Sequence, residues 1–379
     1  MAGIYLHIPF CKQACSYCDF YFSTSLKNKD KLISCLLKEL AMRKEELQDT
    51  EVESIYFGGG TPSILSIDEI QSLLAAIYNN YMVVKTPEIT LEANPDDLSK
   101  RKIKELAQSD INRLSIGAQS FFNQDLALMN RAHNAKDIIK CLAEASTYFY
   151  NINVDLIYGI PNMSKSRWKQ NLAEVFNFDI QHISSYALTI EPHTILKNMI
   201  EKGKCPTPDD DKSKKQFELL IEQTTKKGFV HYEISSFAKS GFFSKHNTSY
   251  WLGKKYLGIG PSAHSFSKTH RSWNISNNTK YICAIEQGKR ACTSEKLSLK
   301  NKFNELIMLG LRTIWGVPLT EIKNNYGDDL YNNLLSSAQK FIDQQLLVIN
   351  IDSNGKEYLK TAQKARFLAD GLASSLFVV

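Results

Sequence analysis

Tyr5-Leu6-His7-Ile8-Pro9-Phe10-Cys11-Lys12-Gln13-Ala14-Cys15-Ser16-Tyr17-Cys18-Asp19-Phe20 decides how the rest of the chain is read. Residues 3–9 alternate and predict a strand that stops at Pro9. The loop behind it sets Cys11, Cys15 and Cys18 in a C-x3-C-x2-C run. Three thiolates on one tight loop can hold three corners of an iron–sulfur cube, leaving one iron open to an outside ligand. Two readings compete. Buried thiols are common in cores, and tetrahedral zinc also takes thiolates. Zinc normally wants four ligands, often as two separated pairs, and no second pair stands at suitable spacing here. Spacing and position favour the cluster.

Outward from the loop, strand and helix patterns alternate. Apolar positions in 29–48 recur at helical spacing, and 52–57 predicts a second strand running into Gly58-Gly59-Gly60-Thr61-Pro62. Ser66 and Glu69 form a capping-box pattern at the head of a helix to about residue 81. Strands are predicted at 88–93, 113–117, 151–157 and 180–188, with helices at 99–108, 123–129, 135–148 and 164–176 between them. This pitch indicates βαβ units around a parallel sheet. The expected fold is α/β, an incomplete (β/α)6 barrel, with a doubly wound sheet as the alternative. A long helix at 212–227 and a strand near 230–236 follow, while 240–275, rich in Gly, Ser, Asn and aromatics, suits a functional loop. Beyond residue 297 three helices (299–312, 320–326, 329–345), a hairpin around Ser353-Asn354-Gly355 and a last helix at 361–377 suggest a small helical, winged-helix-like domain. The expected organisation is 1–210 for the barrel, 211–296 for an extension carrying His246–Trp251, and 297–379 for the C-terminal domain.

In parallel α/β folds ligands bind at the C-terminal ends of the strands. The predicted strands end at the cysteine loop, at Gly58–Thr61, at Glu92, at Gln119 and at Asp155, so polar residues and glycines converge on one mouth. The glycine run lets backbone approach a ligand closely. It is neither a nucleotide P-loop nor a dinucleotide fingerprint. Glu92 and Asp155 suit a sulfonium, an amine or ribose hydroxyls, or else serve as caps and salt-bridge partners. Arg131 suits a carboxylate, or is a surface charge.

These motifs together resemble the radical S-adenosylmethionine (SAM) superfamily, in its oxygen-independent coproporphyrinogen oxidase-like branch. The run from Tyr5 to Cys11, Gly58–Pro62, Leu91–Pro95, Ser115–Phe121, Asn130–His133, Asn153–Pro161 and Ser185–Pro192 carry the likeness over about residues 3–370. The resemblance implies Cys11, Cys15 and Cys18 as ligands of a 4Fe–4S cluster. It implies Tyr5, Tyr17, Gly59, Gly60, Thr61, Glu92, Gln119, Arg131 and Asp155 as the SAM site, with Tyr17 departing from the Phe often found there. Two features divide this branch. The decarboxylating oxidase carries a fourth cysteine where Phe20 stands, so that chemistry is disfavoured. The run His246-Asn247-Thr248-Ser249-Tyr250-Trp251 resembles the signature of HemW-type haem chaperones. Imidazole is a normal axial ligand for haem iron, and Tyr and Trp can stack on a porphyrin. The resemblance therefore implies haem as a third cofactor, with contact by His246, Tyr250 and Trp251. A hydrogen-bonded loop is the competing use of His246, and His7, His133 and His264 are rival ligands. The implied function is a haem chaperone passing haem to an acceptor, such as a respiratory haem protein. The alternative is an oxygen-independent coproporphyrinogen III dehydrogenase that cleaves SAM.

Bulk properties agree. The 379 residues allow two or three domains, or one large barrel with an appendage, and 43% hydrophobic residues can build a sizeable core. The net charge of +6 is mild and scattered, so nucleic-acid binding gains no support, while a basic face for transient membrane association stays open. Eight cysteines do not form a secreted disulfide framework. Without a signal-like segment or a run of eighteen apolar residues, the expectation is a cytoplasmic protein in a reducing compartment.

Overall fold

The computed structural model describes residues 1–378. Six strands alternate with helices from the N-terminus: β1 (Ala2–Ile8), β2 (Val52–Gly59), β3 (Val83–Ala93), β4 (Arg113–Gln119), β5 (Asn151–Tyr158) and β6 (His182–Ala187). Each pairs in parallel with the next, as an incomplete (β/α)6 barrel requires. The side-chain period of two splits these strands sharply. Ile4, Leu6 and Ile8, then Ile55 and Phe57, then Leu114, Ile116 and Ala118, then Ile152, Val154 and Leu156 are wholly buried in the main apolar core. Each large one stabilises the fold by roughly 1.5–3 kcal/mol. The alternate positions include Ser54, Tyr56, Arg113, Ser115, Asn153 and Asp155, and they make the barrel interior polar.

Helix starts are set locally. Ser66 and Glu69 form the predicted capping box, and Asn134 with Asp137 forms another. Ser99 and Ser164 cap their helices by accepting from the third residue on; each such cap contributes about 1 kcal/mol.

The sheet continues past both ends of the parallel run. Beyond β6 lie β7 (Val230–Glu233) and β8 (Ser236–Ala238), both antiparallel. At the other edge β9 (Lys255–Ile259) runs parallel to β1, followed by antiparallel β10 (His264–Phe266), β11 (His270–Asn274) and β12 (Cys292–Lys296). The expected loop at 240–275 is thus largely regular structure, including a helix over Lys245–Trp251. Its Gly- and Ser-rich composition hid the strands, because pairing with the distant β1 rather than local propensity makes β9 a strand.

A second apolar core, around Phe303, Ile307, Leu334, Leu347 and Leu359, organises the C-terminal region. Helices Leu299–Leu311, Leu319–Tyr326 and Asp328–Asp343 pack with β13 (Val317–Pro318), β14 (Leu347–Ile351) and β15 (Glu357–Thr361), in sheet order β13-β15-β14. The hairpin stands where it was expected. The final helix is shorter than expected: a 3-10 segment at Gln363–Leu368 precedes a helix of only Ala369–Ser374. This region meets the barrel through Ile314 N–H on the Tyr232 carbonyl at 3.0 Å and through Trp315, edge-on to Tyr232 and Phe243. No helix among the described residues is long and apolar enough to cross a membrane.

Candidate functional site

A cavity of about 520 Å³ opens where the parallel strands end, and Cys11, Cys15 and Cys18 stand in its wall. The cysteine loop is held by backbone contacts of its own. Ser16 N–H donates to the Met129 carbonyl at 3.0 Å, its hydroxyl to Leu128 O at 2.8 Å, and Leu196 N–H reaches Ser16 O at 2.7 Å. Asn130 donates to Ala14 O at 2.7 Å and accepts from Gln13 at 2.8 Å. Two segments remote in sequence from the loop, residues 128–130 and Leu196, therefore fix where the three sulfurs sit.

Two donors face those sulfurs. Thr61 Oγ1 lies 3.3 Å from Cys11 Sγ, and Arg131 Nη1 lies 3.3 Å from Cys15 Sγ. Both favour a thiolate. Burial works the other way, pushing the Cys11 thiol up and the Cys18 thiol to about 11. Metal binding here must therefore displace protons. No three His, Cys, Asp or Glu side chains among the described residues converge on a single ion. A 4Fe–4S cube takes its thiolates on different irons, so its ligands stand farther apart than those of one ion. The donor set of three thiols, two polar groups on sulfur and an adjoining cavity fits such a cluster.

Beside the loop the chain passes through Gly58–Gly60. A Cβ on Gly60 would lie 2.7 Å from Phe10 O and 2.8 Å from Phe10 N, so only glycine lets β2 pass under the cysteine loop. Gly59, at φ 107, aims its N–H at Glu92 Oε2, 3.2 Å away. Glu92 also accepts from the Tyr56 hydroxyl at 2.8 Å. Burial raises its carboxyl to about 7, reinforced by Asp155 and opposed by Tyr56, Gly59 and Arg113. Asp155 is likewise raised by burial, against donors that include Asn153 at 2.7 Å. Arg131 donates to Asn94 at 2.6 Å and to Gly117 O at 3.0 Å; burial lowers its pKa, but Tyr17 and Cys15 more than offset this. Gln119 ends β4 at φ 65, a strained setting of the kind that clusters at functional sites.

The structure brings Tyr17, Gly59, Gly60, Thr61, Glu92, Gln119, Arg131 and Asp155 to this one cavity, together with Phe20 at its rim, 70% exposed. Tyr5 is not in the wall. It lies behind it, its ring on Tyr56 and its hydroxyl 3.1 Å from His7 Nδ1. Sequence reasoning missed Asn94, Arg113, Asn153, Ser184 and Tyr186, which also line the cavity. For Arg113 and Asn153 the signal was present, as polar residues at period two on strands whose other face is apolar.

None of His246, Tyr250 and Trp251, the residues expected to contact haem, lines this cavity. His246 is 1% exposed, with Nδ1 2.9 Å from Ser54 Oγ and Nε2 2.7 Å from the Tyr250 hydroxyl. Both ring nitrogens are engaged, and burial with Arg113 depresses its pKa to about 3, keeping the imidazole neutral. The backbone N–H groups of Lys245 and His246 and the Ser244 hydroxyl converge on Glu88, at 3.0, 3.0 and 3.3 Å. The helix Lys245–Trp251 is thus a floor plug pinned by a buried carboxylate. Trp251 faces the C-terminal region, with the Arg312 guanidinium 5.2 Å over its ring. Only Asn247 of this run reaches the cavity. Among the rival histidines, His7 and His133 are buried and His264 stacks on Trp273.

The Radical SAM superfamily profile matches residues 5–175, and the HemN C-terminal domain profile matches residues 297–353. The chain is 33% identical over 359 residues to Heme chaperone HemW of Bacillus subtilis (strain 168), covering 93% of this chain and 94% of that one. The chain belongs to the HemW family of radical SAM proteins. Heme chaperone HemW of Lactococcus lactis is 35% identical, with 90% of each chain covered. Among solved structures, coproporphyrinogen III oxidase (HemN) from Escherichia coli aligns at TM-score 0.85 over 100% of this chain and 90% of its own. At 20% identity that likeness speaks for the fold alone. HemW-family membership accounts for the joint presence of a cysteine loop and a C-terminal module.

Proposed function

We propose that this protein is a haem chaperone that carries a 4Fe–4S cluster and SAM at the mouth of its barrel and passes haem to an acceptor protein. One observation carries the reading: near full-length similarity, at 33% identity, to a protein named Heme chaperone HemW. The cavity supports the cofactors. Cys11, Cys15 and Cys18 would hold three irons of the cluster, whose fourth iron supplies an open coordination position when bound. Thr61 and Arg131 donate to the sulfurs. Gly59 and Gly60 bring backbone close to the ligand, and Glu92, Asp155 and Gln119 supply polar contacts on adjacent strands. Burial of Glu92 and Asp155 leaves both carboxyls ready to gain stabilisation from a ligand's hydroxyl or cationic groups. Phe20 at the rim, in place of a fourth cysteine, is consistent with haem carriage rather than oxidative decarboxylation.

The test is a haem titration of the anaerobically reconstituted protein. The expected result is a Soret shift, stoichiometric haem retention through gel filtration, and loss of that haem to an apo-haem protein. Absence of both shift and retention would sink the proposal. Conversion of coproporphyrinogen III to protoporphyrinogen, with release of 5′-deoxyadenosine, would replace it with the oxidase reading.

A further inference from the structure

Arg113 is a residue that neither the family motifs nor the proposed cofactor sites use. It opens β4 at the end opposite Gln119, and its side chain lines the cavity although it is 1% exposed. Among the described residues its guanidinium makes no hydrogen bond and has no carboxylate oxygen within 4.0 Å, and its Nε is buried without a partner. Thr90, opposite it in the β3/β4 register, is wholly buried and its hydroxyl too is unpartnered. Asn247, the one member of the floor helix to reach the cavity, makes no side-chain hydrogen bond among the described residues. A buried cation with five N–H donors and no acceptor is strongly unfavourable unless something else supplies one.

The charged groups around it do not supply that acceptor. Glu92 and Asp155, on the flanking strands, are both driven by burial toward their neutral forms. His182 and His246 below are held neutral, first by burial and then by Arg113 itself. Glu88 is already bound to the start of the floor helix. The planar guanidinium fork matches a carboxylate in two parallel hydrogen bonds.

We propose that Arg113, with Asn247 in the wall of the same cavity, forms a carboxylate-binding subsite at the cavity's inner end. Its occupant is a carboxylate carried by a ligand that enters from the mouth. That carboxylate is either an arm of haem or a small free acid. The haem arm of the test rests on the function proposed above; the small-acid arm does not.

The experiment compares wild-type protein with Arg113→Gln and Asn247→Leu, each anaerobically reconstituted. Sodium propionate, against sodium chloride at equal ionic strength, is expected to raise the wild-type Tm by about 1–2 °C. Arg113→Gln should abolish that rise. Asn247→Leu, which leaves the arginine in place but removes a polar group from the cavity wall, should reduce it, and this keeps the test decisive if Arg113→Gln does not fold. An equal propionate shift in wild type and both variants, or none in wild type, overturns the subsite. Titration with haem and with haem dimethyl ester then separates the sources. Arg113→Gln lowering haem affinity about tenfold while sparing the ester assigns the subsite to a haem carboxylate. Loss of the propionate shift with both haem affinities unchanged assigns it to a small acid.

Discussion

The two ends of the barrel interior carry similar side chains and use them differently. At the floor, Glu88, Ser54, His246, Tyr250, His182 and Tyr232 bond to one another or to the backbone of residues 244–246. At the mouth, three thiols, two carboxyls raised by burial and a glycine run at a strand end face a cavity. Around Glu88 and His246 the floor is a hydrogen-bonded network, which rigidifies a fold, although Arg113 Nε and the Thr90 hydroxyl are left without partners among the described residues. The mouth keeps hydrogen-bonding capacity in reserve, which is what a ligand site needs. A histidine motif and a cysteine motif look equally functional as text. In space both nitrogens of His246 have protein partners, while the three thiols face the cavity.

That contrast can be broken at either end. The largest effect is expected from Glu88→Ala, which strips three donors at 3.0–3.3 Å of their buried acceptor. Unfolding free energy should fall by about 3 kcal/mol or more in urea titration, while iron bound per folded chain stays unchanged. Iron loss in step with Glu88 replacement would show that floor and mouth are one unit.

A smaller, pH-dependent effect is expected at the mouth. Glu92 titrates at about 7 in the folded chain against an ordinary value of 4.5. A carboxyl raised on folding contributes stability that is present below its unfolded value and lost as pH rises through the folded one. Glu92→Gln removes that titration. Its Tm should match wild type near about pH 5 and exceed it increasingly through about pH 7, levelling off near pH 8. A Tm difference independent of pH would remove Glu92 from the set of reluctantly ionised residues.

How much of this was legible in the sequence follows the same division. The six βα repeats, the Ser66 and Ser99 caps, the cysteine loop and the glycine turn are local patterns, and they stand in the structure where spacing put them. The hydrogen-bond partners of His246 were not legible. Its partner Ser54 lies 192 residues away, and only the three-dimensional contact reveals that its nitrogens are engaged. β9 was hidden for the same reason, since its pairing partner is the first strand of the chain. Arg113 was readable only as the start of a strand. The alternation of Arg113 and Ser115 with Leu114 and Ile116 nevertheless held a clue, because a strand apolar on one face and charged on the other implies a polar interior.

The most direct test of the division is the metal content of three proteins reconstituted side by side under anaerobic conditions: wild type, the triple variant Cys11→Ala, Cys15→Ala, Cys18→Ala, and His246→Gln, each checked for folding by circular dichroism. A mouth that holds the cluster and a floor that only supports it predict about four irons and four sulfides per chain in wild type and in His246→Gln, and none in the triple variant. Cluster absorbance retained by the triple variant, or lost by a folded His246→Gln protein, would contradict it.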